Sequence, residues 1–235
     1  KSFSYAPDYK DWPISDNAAY VHYCPNETIQ GVAYHEIPNI NKPLIADASS
    51  VILSEPLDVN KFSLIYAGAQ KNIGPAGLTI VIIDRDFMEY GNPNIPNILK
   101  YSEHSLSESM LNTPPTFAWY MAGKVFKWIK DSGGLDYFKT QNHKKASKLY
   151  EFIDNSSFYS NNVDSVNRYI MNVPFLLAND DLDKTFLSEA EDNELINLKG
   201  HRSVGGMRAS IYNAMPLEGV EELIKFMEHF ESSYG

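Results

Sequence analysis

The run Leu78-Thr79-Ile80-Val81-Ile82-Ile83 is almost continuously apolar and mostly β-branched. That is the pattern of a strand covered on both faces, so the first part of the chain is expected to build a layered α/β structure. Shorter apolar stretches bounded by turn residues precede it and place strands at Ala19–Tyr23, Leu44–Ala46 and Ser63–Ala67. Residues 86–113 carry Pro93 and Pro96 without a clear period and read as a loop with short helical pieces.

The character changes at Thr113. Thr113-Pro114-Pro115-Thr116 is a helix-start signal, and Phe117, Met121, Val125 and Trp128 follow at helical spacing. Gly133-Gly134 stops that helix, and a second runs from about Leu135 to Ile153. A strand-like run lies near Tyr169–Leu177, with a helix around Leu182–Glu191 after it. Pro216 then opens a last helix, whose stripe Val220, Leu223, Ile224, Met227 and Phe230 reads as core. The order implies an α/β layer over residues 1–130 and a smaller α+β unit over residues 131–235.

Composition narrows the function classes. Twenty basic against thirty acidic residues leave a net charge of −10, which argues against a nucleic-acid surface but permits small anionic substrates held by local clusters. No apolar run is long enough to span a bilayer, and no charged-then-apolar leader opens the sequence. The single Cys24 excludes an internal disulfide framework, so a cytoplasmic protein is the expectation. The six His residues lack metal-ligand spacing, and no metal site is expected.

Four places could carry chemistry. Lys71 follows an apolar strand within Gly68-Ala69-Gln70-Lys71-Asn72-Ile73-Gly74-Pro75-Ala76-Gly77, where closely spaced glycines suit tight approach to a bulky group. Desolvation there would free an amine to attack an aldehyde, although the same lysine could simply snorkel to water. Asp47 ends the short strand Leu44-Ile45-Ala46 and could pair with a protonated ring nitrogen, or form an Asx turn. The stretch from Lys199 to Leu217 contains no acid; its His201, Arg202 and Arg208 on a Gly-rich segment suit carboxylate or phosphate, or form a solvated basic loop. Asn112-Thr113 could donate to an anion or cap the helix that follows.

Tyr20-Val21-His22-Tyr23-Cys24-Pro25-Asn26-Glu27-Thr28, the lysine segment from Ile65 to Gly77, Leu111 to Tyr120, and Gly205-Gly206-Met207-Arg208-Ala209-Ser210-Ile211-Tyr212-Asn213-Ala214 occur in order along the chain. Together they resemble the phosphoserine aminotransferases, class-V members of the fold-type-I enzymes that use pyridoxal 5′-phosphate (PLP). The resemblance implies the later part of the family's large mixed-sheet α/β domain followed by its C-terminal α+β small domain. It implies that Lys71 holds PLP as a Schiff base and shuttles a proton, and that Asp47 pairs with the pyridinium nitrogen. Thr28 would bond to the ring, Gln70 would contact the cofactor phosphate, and Asn112 with Thr113 would reach that phosphate from the partner subunit of a homodimer. Arg208 would clamp the substrate α-carboxylate, and His201 with Arg202 the distal anion.

The implied reaction converts 3-phosphohydroxypyruvate and L-glutamate into O-phospho-L-serine and 2-oxoglutarate, in serine biosynthesis and, in bacteria, also in pyridoxine biosynthesis. Rival readings are another fold-type-I PLP aminotransferase or lyase, or an inactive fragment. The family's pattern also has an N-terminal segment that supplies a Gly-rich phosphate loop, a ring-stacking aromatic and a further substrate arginine. None of these lies within the 235 residues, so this stretch alone is expected to bind PLP weakly.

Overall fold

The computed structural model describes residues 3–235. Its elements in chain order are β1 (Val21–Tyr23), β2 (Asn26–Glu27), β3 (Val32–Ala33), β4 (Leu44–Asp47), β5 (Leu64–Gly68), β6 (Thr79–Ile83), α1 (Arg85–Met88), α2 (Tyr101–Leu106), α3 (Thr116–Asp131), α4 (Gly134–Asn155), β7 (Tyr159–Ser160), β8 (Asn172–Leu177), α5 (Asp183–Asp192), β9 (Met207–Ser210) and α6 (Leu217–Tyr234). They divide into two compact units. One holds residues Asp8–Pro25 and Glu36–Gly134; the other holds the residues up to Pro7, Asn26–His35 and Leu135–Gly235.

The division departs from the cut expected at residue 130, because Asn26–His35 joins the second unit. The backbone supplies the reason. Tyr169 N–H donates to the Gly31 carbonyl at 3.1 Å, the Asn167 amide donates to the Ala33 carbonyl at 3.3 Å, and Val32 bridges Arg168. Gly31 permits this approach: at φ +72, a Cβ there would stand 2.8 Å from the Asn172 carbonyl oxygen.

In the first unit the sheet order is β1-β4-β5-β6, with β1, β4 and β5 parallel and β6 antiparallel to β5. All four expected strands are present. The strand expected to be covered on both faces is instead an edge strand, with Val81 37% exposed. Helix α3 forms where expected but turns a different stripe inward. Ala118, Ala122 and Ile129 are buried, whereas Phe117 is 70% exposed and Trp128 also faces outward. Small residues win the inward face because α3 runs close to the backbone: the position a Cβ of Gly74 would take lies 3.5 Å from the Ala122 nitrogen.

The second unit packs α4, α5 and α6 with the antiparallel sheet β7-β8-β9. Helix α6 buries Val220, Leu223, Ile224, Met227 and Phe230, the stripe read from its spacing. Segment 207–210, read as part of a basic loop, is strand β9. Lys145 of α4 is 2% exposed, and its Nζ donates to the carbonyls of Ile211, Tyr212 and Met215, each at 2.9 Å, holding the turn that leaves β9. Burial pushes this ammonium down to about 8 from 10.5. Lys145→Met leaves three carbonyls without their donor and should cost about 3 kcal/mol at neutral pH. The folded value lies below the unfolded one, so between pH 8 and 10.5 the unfolded chain binds more protons. The wild type should therefore gain stability over Lys145→Met as pH rises through that window, which urea unfolding at several pH values would show.

Candidate active site

Asp47 is the last residue of β4, and Lys71 lies three residues beyond the last residue of the neighbouring parallel strand β5. Parallel pairing thus brings both to the same, C-terminal edge of one sheet, where open α/β sheets place their ligand sites. Asp47 Oδ1 accepts from the Ser49 backbone N–H at 3.0 Å and from the Ser49 hydroxyl at 2.6 Å. The Asx-turn alternative is therefore realised, and it does not compete with a ligand, because a carboxylate has about four lone-pair sites. Ser49 Oγ in turn accepts from the Gly68 N–H at 2.9 Å, tying the exit of β4 to the exit of β5.

The segment carrying Lys71 is pinned from below. Ala69 and Ile73 are buried, the Asn72 side chain donates to the Ile52 carbonyl at 3.1 Å, and Gly74 N–H donates back to the Ala69 carbonyl at 2.8 Å. Gln70 is exposed and Lys71 half-buried. Asn112 and Thr113 are exposed in the turn before α3, where the Asn112 amide donates to the Thr113 carbonyl at 3.1 Å. Neither caps the helix; its N-cap is Pro115, with no side-chain bond.

A cavity of about 1020 Å³ in the same unit is bordered by His22, Ile45, Leu64, Tyr66 and Ile83. Strand register puts His22, Ile45, Leu64 and Ile83 side by side, with Asp47 and Tyr66 paired two residues further along. The cavity thus lies on the sheet face that carries the Asp47–Tyr66 pair.

The other unit holds Thr28, His201, Arg202 and Arg208. Thr28 is half-buried just after β2. His201 and the exposed Arg202 sit in a loop closed at its neck by Gly200 N–H donating to the Gly206 carbonyl at 2.8 Å. Only glycine fits that neck, since a Cβ at position 200 would stand 2.2 Å from the Gly205 oxygen. Ser203 N–H donates to His201 Nδ1 at 3.3 Å, and the Ser203 hydroxyl lies 2.7 Å from the same atom. Arg208, on β9, has a buried Nε with no hydrogen-bond partner among the described residues. A buried donor of that kind calls for a ligand or water.

Sequence reasoning missed the polar groups behind these residues. Asn172 Oδ1 accepts from the Asn26 amide at 3.3 Å and from the Tyr212 hydroxyl at 3.1 Å, while its own amide donates to Ser210 Oγ at 3.4 Å. Tyr212 is raised above its ordinary value by burial, against the opposing effects of the Asn172 bond and the Arg208 charge. The available signal was one amide, Asn172, inside the apolar run from Tyr169 to Leu177.

An acid held at a strand end and an amine on the adjacent strand's exit loop suit PLP, while in the other unit a guanidinium with an unfilled donor suits a carboxylate. Mixed α/β layers with an acid and a lysine at the sheet's C-terminal edge define a fold-type-I transferase. The sequence profile of the class-V aminotransferases matches residues 2–223, and the chain belongs to that family. It is 58% identical to a phosphoserine aminotransferase of Acinetobacter baylyi over 225 residues, 96% of this chain and 63% of the relative. The chain thus spans less than two thirds of the length of that relative.

Two solved structures share the fold. A phosphoserine aminotransferase studied for radiation damage of its Schiff base superposes with a TM-score of 0.96 at 45% identity, covering 99% of this chain and 65% of that one. The PLP-bound phosphoserine aminotransferase of Trichomonas vaginalis gives 0.91 at 41% identity, covering 96% and 64%. No helix among the described residues is long and apolar enough to cross a membrane.

Proposed function

We propose that this chain is the lysine-bearing part of a PLP-dependent phosphoserine aminotransferase, converting 3-phosphohydroxypyruvate and L-glutamate into O-phospho-L-serine and 2-oxoglutarate. The observation that carries the reading is the adjacency of β4 and β5, which end in a pinned carboxylate, Asp47, and an anchored lysine loop, Lys71. The naming of the relatives supports the substrate.

PLP, when bound, acts as an electron sink for the substrate's α-carbon. Every other task falls to side chains of the chain. Lys71 Nζ holds the cofactor covalently, then carries the proton taken from the α-carbon. Asp47, held in place by the Ser49 donors, would pair with the ring nitrogen. Thr28 bonds to the ring, Gln70 contacts the cofactor phosphate, and Asn112 with Thr113 serves the site of a partner subunit in a homodimer. The exposed aromatics of α3, Phe117 and Tyr120 at 70% and 62%, offer that partner apolar surface. Arg208 clamps the α-carboxylate through the donor that lacks a partner here, and His201 with Arg202 takes the phosphate or the glutamate side-chain carboxylate. Cytoplasmic serine biosynthesis, with pyridoxine biosynthesis as a second use, goes with this reading.

The phosphate requirement is the discriminating property. Phosphoserine should be turned over far faster than serine or alanine. Arg202→Ala should lower kcat/KM for phosphoserine by about ten- to a hundredfold, the effect of losing a charge-assisted bond, and leave kcat/KM for alanine, which has no distal anion, unchanged. Equal rates with and without the phosphate group would count against this substrate and favour another aminotransferase or a lyase of the same fold.

A further inference from the structure

The antiparallel strands β8 and β9 have two unlike faces. Val173, Phe175, Met207 and Ala209 are buried on one of them. The alternate positions put Asn172 opposite Ser210, and Pro174 opposite Arg208, on the other. Residues 26–31, with Thr28 among them, lie against this second face. The Asn26 amide reaches Asn172 Oδ1 at 3.3 Å, and a Cβ on Gly31 would stand 2.8 Å from Pro174 Cδ.

Asn172 is fully buried and joins the polar groups of that face. Its Oδ1 takes two donors, the Asn26 amide and the Tyr212 hydroxyl at 3.1 Å, and its own amide donates to Ser210 Oγ at 3.4 Å. Asn172 is also the diagonal cross-strand neighbour of Arg208, a separation of about 7–8 Å that a long side chain can span. Hydrogen bonding alone does not demand an amide here. An aspartate has the same shape, accepts from the same two donors and can accept from the Ser210 hydroxyl as well. What it adds is a negative charge beside a guanidinium. Arg168 in the same unit shows the consequence, since Asp154 takes it in two bonds of 2.6 and 2.8 Å. Arg208 forms no ion pair among the described residues, and its buried Nε has no hydrogen-bond partner there.

We infer that Asn172 is a positioning residue whose neutral amide fastens the Thr28 segment to β8 while leaving the charge of Arg208 uncompensated for the carboxylate of a substrate. This role presupposes the reading in which Arg208 holds the α-carboxylate. Asn172 serves that arginine from behind and does not touch substrate.

Maleate, a dicarboxylate that needs no cofactor, is the probe. Calorimetry gives its affinity for the chain, and the ¹⁵N-resolved Arg208 Nε–H signal reports where it binds. Wild type should bind with a shift of that signal, and Arg208→Gln should abolish binding. Asn172→Asp should bind at least about tenfold more weakly, the scale of one charge pair at a partly buried site. Its Arg208 signal should be displaced before any maleate is added. Asn172→Ala loses the bonds but adds no charge, and should bind more tightly than Asn172→Asp. A merely structural role predicts the reverse order, because aspartate keeps the bonds that alanine loses. Ser210→Asp puts a carboxylate at an exposed position of the same face, so it should fold even where Asn172→Asp does not. It should weaken binding about threefold in low salt and recover as salt rises. Wild-type affinity in a folded Asn172→Asp or in Ser210→Asp, or weaker binding by Asn172→Ala than by Asn172→Asp, would overturn the role of Asn172. A wild type that ignores maleate, or an Arg208→Gln that binds it equally well, would sink the assignment of Arg208 itself.

Discussion

Lys71→Ala should abolish the visible absorbance band of the lysine-linked cofactor and reduce amino transfer by at least about a thousandfold. Two roles meet on that one nitrogen, covalent attachment and proton carriage, and no neighbour replaces either. General acid–base catalysis alone is worth roughly a hundred- to ten-thousandfold. The loop's anchors, Ala69, Asn72 and Ile73, stay in place in this variant, so the fold should be retained. Unchanged circular dichroism together with a lost band and lost turnover is the expected combination. Lys71→Arg should fail equally, because a guanidinium stays protonated and does not attack an aldehyde. A Lys71→Ala protein that kept the band would place the amine elsewhere.

Phe186→Ala should have the largest effect on stability. Phe186 is fully buried in α5, at ring-centroid distances of 5.0 Å from Phe230, 5.1 Å from Phe226, 5.9 Å from Phe175 and 6.3 Å from Tyr159, all in edge-on geometry. Those partners come from α6, β7 and β8, so one ring joins helices and sheet of the second unit. Truncating such a residue costs about 3–5 kcal/mol, from lost transfer energy and the cavity left behind. The edge-to-face pairs add about 0.5–1.5 kcal/mol each. The same unit carries Arg208, so cofactor-independent binding of a dicarboxylate should weaken along with the unfolding midpoint. Phe186→Leu, which refills most of the volume, should recover more than half of the loss. An unfolding free energy of Phe186→Ala in urea within about 1 kcal/mol of wild type would mean that the cluster relaxes around the hole.

Much of the fold could be read from the chain because its strands are short apolar runs and its last helix has one unambiguous stripe. Where the reading failed, a local pattern was asked to report a neighbour. The run at Leu78–Ile83 says that a strand forms, but its exposure depends on what lies beside it, and β6 has β5 on one side only. In α3 two stripes compete. Phe117, Met121, Val125 and Trp128 are the larger residues, yet Ala118, Ala122 and Ile129 face inward, since close approach of the backbone at Gly74 leaves no room for large rings. Residues 26–35 joined the second unit through bonds that the carbonyls of Gly31 and Ala33 accept from Tyr169 N–H and the Asn167 side chain, which no local pattern announces.

The candidate site divides the same way. Lys71 and Asp47 were visible because a glycine-flanked lysine and an acid at the end of an apolar run are unusual in themselves. Ser49, Tyr66 and His22 were not, since each is ordinary in its own strand or turn. They become a group only through the parallel register that sets Asp47 beside Tyr66 and His22 beside Ile45. The network of Asn26, Asn172, Ser210 and Tyr212 likewise spans three strands and a turn, with up to 146 residues between partners.

The most direct measurement is reductive trapping. The protein is incubated with PLP, reduced with borohydride, digested, and its peptides are weighed to find the lysine bearing the added pyridoxyl group. The modification is expected on Lys71, in near-stoichiometric yield, and on no other lysine. A pyridoxyl group spread over surface lysines, or concentrated on any residue but 71, would contradict the assignment from which the role of Asp47 follows.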